Sequence, residues 1–113
     1  MGSLIGFESL KDSKEFSLVY KEAKKWHSDV CVLFYKPSQE NKIAVVASKK
    51  VGKAVVRNKS KRLLKSAFVS IARDGLVSQG TYVMIAKGGL DNFSFVNILK
   101  SLKWSMKKLG CLR

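Results

Sequence analysis

The sequence predicts an α+β fold, a sandwich of about three helices on a small sheet. Two observations predict it. Apolar residues recur at helical spacing in three separated stretches, and short β-forming runs fall between them, giving the order helix, strands, helix, strand, helix. The 113 residues, 46% of them hydrophobic, suffice for one core and leave no room for a second. A single domain, 1–113, is therefore expected.

Taken in order, residues 1–9 carry little signal. Leu10 to about Lys25 reads as a first helix, with Asp12 or Ser13 as cap and Glu15 near the place a capping box requires. Phe16, Val19, Tyr20 and Ala23 form one stripe on it, which spacing alone assigns to the core. Val30–Tyr35 is a strand whose two faces, Val30, Val32, Phe34 and Cys31, Leu33, Tyr35, are both apolar, so both need cover. Lys36–Asn41 is a turn, Ile43–Ala47 a strand, and Tyr82–Ala86 a short buried strand after a loop bounded by Gly75 and Gly80. A last helix spans about Asn92–Leu109, with Phe95, Ile98, Leu99, Leu102, Met106 and Leu109 inward and Lys100, Lys103, Lys107 and Lys108 on a solvated side.

The stretch Lys49–Phe68 organises the rest. It carries Lys49, Lys50, Lys53, Arg57, Lys59, Lys61, Arg62 and Lys65, and no acid lies between Glu40 and Asp74. Helical spacing from about Val55 puts Val56, Leu63, Leu64, Ala67, Phe68 and Ile71 on one arc. Asn58, Lys59, Lys61, Arg62, Lys65 and Ser66 fall on the other. Arg57 sits on the wrong arc, so the helix is expected to begin near Arg57 and to project its first turn beyond the core. The exposed N–H groups of that turn would add to the cationic side chains and make a phosphate-binding end. Such charge on a foldable element points to a nucleic-acid surface; an ordinary amphipathic helix would intersperse acids.

These residues resemble the protein subunit of bacterial ribonuclease P. The resemblance is carried by Ser48-Lys49-Lys50-Val51-Gly52, Ala54-Val55, Arg57-Asn58-Lys59 and Lys61-Arg62-Leu63. Two positions depart from the family pattern. Lys59 replaces an arginine and loses its planar fork, and Ser60 stands on the apolar arc where the family has an apolar residue. The resemblance implies a two-layer sandwich with a small mixed sheet and a left-handed βαβ crossover, like domain 2 of ribosomal protein S5. General rules of chain handedness would predict the opposite crossover. It also implies that Lys49, Lys50, Lys53, Arg57, Asn58, Lys59, Lys61, Arg62 and Lys65 contact the catalytic RNA. Phe16, Tyr20 and Phe34 would line a cleft for the single-stranded 5′ leader of precursor tRNA, where aromatic faces stack on any base. Phe34 stands where the family has tyrosine.

Composition bounds the chemistry. A net charge of +14 fits a polyanion partner. No apolar run is long enough to span a membrane and no targeting layout is visible, so a cytoplasmic protein without a membrane partner is expected. Cys31 and Cys111 lack metal-ligand spacing and read as free thiols, and His27 as a solvent or hydrogen-bonding residue. The eight acids are scattered and avoid the basic region, so no catalytic residues are expected in this chain. By the resemblance, Mg2+ is held mainly by the partner RNA and the substrate, and no obligate protein partner is required. Two other readings share the charge: a structural or ribosome-associated RNA-binding protein, and a DNA-binding module using Arg57, Asn58 and Arg62 in a major groove.

Overall fold

A computed structural model describes residues 3–4, 6–74 and 77–112. The expected loop residues Gly75 and Leu76 lie outside them. The strands are β1 (Ser3–Leu4), β2 (Phe7–Ser9), β3 (Lys24–His27), β4 (Cys31–Pro37), β5 (Lys42–Val46) and β6 (Gly80–Ala86). The helices are α1 (Ser13–Glu22), α2 (Ala54–Arg73) and α3 (Phe95–Lys108). One mixed sheet has the order β1-β2-β5-β6-β4-β3. Its β2–β5 and β5–β6 pairs are parallel, and the others antiparallel. β5 and β6 are neighbours joined through α2, the βαβ crossover that the resemblance implies.

The apolar faces of β4 divide the molecule as alternation requires. Cys31, Leu33 and Tyr35 join Ile43, Tyr82, Met84 and the inner stripes of α2 and α3 in the main core. Phe34 and Val83 point the other way and meet Leu10 and Val19, with Phe16, Val32, Ala44, Val46 and Ile85 around them. Gly80 lets β6 start against β4. At its φ of 151° a side chain is strained, and a Cβ would lie 2.6 Å from the Lys36 carbonyl oxygen.

Four expectations are corrected. Residues 7–9, which carry little signal in the sequence, form a strand whose Phe7 ring packs edge-on against Phe68 and Tyr82, at 5.1 and 5.8 Å between centroids. Three residues are too few to show alternation. The first helix ends at Glu22 rather than near Lys25. Ala23 is extended, and Lys24–His27 pair with β4 so that Trp26 stands opposite Leu33 on the core side. The central helix begins at Ala54, not near Arg57. A 3-10 turn at Lys49–Val51 and Gly52 at φ 145° redirect the chain, and Val56 packs over Gly52 and onto the core from within the first turn. Arg57 is half-buried inside the helix. Finally, Phe95 is 40% exposed: it opens α3 after the Ser94 cap and lies past the core that Ile98 reaches.

Ser60 is fully buried, and its hydroxyl finds no hydrogen-bond partner among the described residues. Ser105, equally buried, donates to the Ser101 carbonyl at 3.0 Å. An unpaired buried hydroxyl costs about 1–3 kcal/mol. Ser60→Ala is therefore expected to stabilise the domain by about 1 kcal/mol, raising Tm by roughly 4 °C. A lowered Tm would mean that the hydroxyl has a partner after all.

Cys31 and Cys111 are free and buried. Burial pushes the Cys31 thiol from 9.0 up to about 12 and the Cys111 thiol up to about 11. With both values raised on folding, their contribution is intact below about pH 9 and is lost as pH rises through the folded values. A thiol reagent at pH 8 should label both cysteines only after urea unfolding. Rapid labelling of the native protein would contradict this burial.

Candidate nucleic-acid interface

Two surfaces of different chemistry meet at one end of the sheet. The first is the cleft between α1 and the sheet. Asp12 caps α1, its side chain accepting from the Lys14 N–H at 2.9 Å. Two ion-paired lysines clamp the helix over β4 and β5: Lys42 donates to Glu15 at 2.9 Å and reaches Glu40 at 3.2 Å, and Lys36 lies 3.6 Å from Glu22. The hydrogen bond to Glu15, followed by that to Glu40, raises the Lys42 pKa. Beyond the clamp α1 leaves part of the sheet uncovered, and Val32, Ala44, Val46 and Ile85 remain half-exposed as a floor.

Phe16, Tyr20 and Phe34 come together there. Ring centroids are 6.1 Å apart for Phe16–Tyr20 and 5.2 Å for Tyr20–Phe34. Their exposures differ. Tyr20 is 44% exposed, so it is not core, although its stripe partner Val19 is buried; Phe16 is half-buried. Phe34 is 7% exposed: it backs Tyr20 edge-on and is not an open stacking face. Partial burial pushes the Tyr20 hydroxyl up, so the ring is neutral at ordinary pH. Lys25 and His27, which are not among the cleft residues expected from the sequence, also stand here. Lys25 pairs with Phe34 and His27 with Val32, which puts both beside the cleft on the face they share. Four residues give too little alternation to mark this strand in the sequence, where Lys25 continues the first helix.

The second surface begins where the first ends. Three residues after Val46 the chain enters the basic turn at Lys49 and Lys50, and β6, ending at the same side, runs into Lys87. Lys53 is the extended first cap of α2, and no side chain caps that end, so the opening N–H groups stay available to an anion. Along α2, Lys53, Asn58, Lys59, Arg62 and Lys65 are exposed, and Arg57 and Lys61 are half-buried. None of these cations is in an ion pair among the described residues. Two shallow depressions follow the helix, one lined by Lys59, Arg62, Leu63 and Ser66, the other by Lys65, Ser66, Val69, Ser70 and Arg73. Arg73 thus extends the strip by about two turns beyond the residues named from sequence.

Among the described residues no three His, Cys, Asp or Glu side chains gather as a metal site, and Glu15, Glu22 and Glu40 are engaged by lysines. The carboxylates among the described residues are spread apart rather than gathered as the ligand set of a magnesium centre. No helix among the described residues is long and apolar enough to cross a membrane.

An unpaired cationic helix beside an open aromatic cleft, on a mixed α+β sandwich, points to an RNA-binding protein. Comparison narrows the class: a family model for ribonuclease P matches residues 6–110, and the chain belongs to that family. It is 44% identical to the ribonuclease P protein component of Nitratiruptor sp. over 82% of this chain and 84% of that one. It is 37% identical to that of Clostridium kluyveri over 89% and 93%. The solved RNase P protein from Thermotoga maritima superposes with a TM-score of 0.75 at 25% identity, covering 89% of this chain and 96% of that one. The chain is thus a ribonuclease P subunit with a role in tRNA 5′ processing, and its partner is the ribonuclease P RNA. That decides against the ribosomal and DNA-binding readings.

Proposed function

We propose that the two surfaces divide the work of the ribonuclease P particle: α2 and the turn before it hold the catalytic RNA, and the cleft holds the 5′ leader of precursor tRNA. The observation that carries this reading is the junction at Val46–Lys49, where the apolar cleft floor passes directly into cations without acid partners. Lys49, Lys50, Lys53, Arg57, Lys59, Lys61, Arg62 and Lys65 replace counterions on folded RNA. Asn58 and the uncapped amides donate hydrogen bonds to phosphate oxygens. Tyr20 offers an open ring to a leader base, with Phe34 fixing its orientation and Phe16 extending the apolar wall.

Hydrolysis of the phosphodiester then belongs to the RNA subunit, with Mg2+ held by RNA and substrate. This chain positions the leader and lowers the magnesium the particle needs, because its lysines and arginines supply positive charge already ordered by the fold. We place this work in the cytoplasm, in keeping with two buried free thiols.

Cross-linking tests the division of surfaces. A photoreactive uridine placed in the leader should mark peptides containing Tyr20 or Phe16. The same probe in the catalytic RNA should mark α2. Leader cross-links confined to α2, or absent from α1, would overturn the assignment.

A further inference from the structure

The side of the molecule opposite the cleft carries a third surface, which neither reading above uses. Trp104 on α3 is 53% exposed. The Lys108 ammonium lies 4.6 Å from its ring centroid and 5.9 Å from that of Trp26 on β3, holding the two indoles around one cation. Lys100 stands one turn before Trp104, Lys108 one turn after, and no acid follows Asp91 anywhere in the sequence. An exposed tryptophan alone is common, and a lysine-rich helix face is ordinarily just solvated. Here the indole, its cation and an α3 flank without acids combine in the chemistry that single-stranded RNA uses, base stacking plus phosphate neutralisation.

β3 connects this surface to the cleft. It is the edge strand, and its alternation sends Lys25 and His27 to the cleft side beside Phe34 and Val32, while Lys24 and Trp26 go to the α3 side. One strand spacing, about 4.8 Å, separates the strand of Phe34 from that edge. Two lysines on an edge strand also discourage a protein partner from adding a strand there.

We propose that the β3–α3 face is a second platform for single-stranded RNA, taking the part of a long 5′ leader that passes out of the cleft over β3. It rests on the cleft reading of the leader. Lys24 and Lys25 straddle the backbone as it crosses the edge, and a base stacks on the open face of Trp104.

The experiment titrates assembled particles with precursor tRNAs whose leaders are lengthened one nucleotide at a time. With the unaltered protein, affinity should rise in two steps, the first as the cleft fills and the second at longer leaders. Trp104→Ala should abolish only the second step, a loss of about five-fold or more. Trp104→Phe should keep most of it, and Lys108→Gln should weaken it. Because Trp104 and Lys108 lie on the surface, circular dichroism of the variants should match the parent. If the second step survives Trp104→Ala while Tyr20→Ala removes the first, this proposal is overturned and the cleft stands. A first step that survives Tyr20→Ala overturns the cleft reading and this one with it. A single step, or RNA titrations wholly indifferent to Trp104, also overturns it and leaves the face to a protein partner.

Discussion

Tyr20→Ala is expected to weaken the assembled particle's binding of leader-bearing precursor tRNA by about 5- to 150-fold and to leave mature tRNA unaffected. The magnitude is that of one base–aromatic stack, about 1–3 kcal/mol. The selectivity follows from geometry. Tyr20 is nearly half exposed at the cleft and makes its ring contacts with Phe16 and Phe34, so its loss removes a ligand face without opening the main core. Assembly with the catalytic RNA should be unchanged, since no charge is lost. Tyr20→Phe keeps the ring and should restore most of the affinity. Equal weakening of precursor and mature tRNA, or a large drop in Tm, would make Tyr20 a structural residue instead. Phe34→Ala cannot serve as this test: Phe34 is buried with Val19 and Val83, so its loss is expected to destabilise the fold by about 3–5 kcal/mol.

The second large effect is electrostatic. Arg62 is exposed, lines a depression with Lys59 and Ser66, and has no acid partner among the described residues. Arg62→Ala should lower affinity for the catalytic RNA and make its salt dependence shallower, the slope falling by roughly 0.7–0.9 for the phosphate contact removed. Arg57→Ala and Lys61→Ala should add to this, though Arg57 is half-buried and its loss also removes stem packing. Binding measured from low to moderate salt reads both terms together. An unchanged slope for Arg62→Ala would take this face of α2 out of the RNA contact.

The sequence is most legible where elements are long and periodic. α2 and the inner stripe of α3 stand out because apolar residues recur over several turns, and the motif from Ser48 to Leu63 carries the family resemblance by itself. Short elements do not stand out. β2 holds three residues and β3 four, too few for alternation to rise above chance, yet Phe7 completes an aromatic cluster with Phe68 and Tyr82. Spacing misplaces the start of α2 because Arg57 looks like a violation of the pattern. A half-buried arginine satisfies that position by burying its stem and exposing its head. The aromatic stripe of α1 cannot be divided by spacing. Val19 is buried and Tyr20 exposed because α1 covers only part of the sheet, a tertiary fact that no local period contains.

The most direct test of the account is a magnesium titration of precursor tRNA cleavage by a bacterial ribonuclease P RNA, with and without this protein. The protein alone, freed of RNA, is expected to cleave at no magnesium concentration. Added to the RNA, it should shift the dependence to lower magnesium, and more strongly for substrates with a leader. Cleavage by the nuclease-treated protein alone, or a magnesium dependence that the protein leaves unchanged, would contradict it.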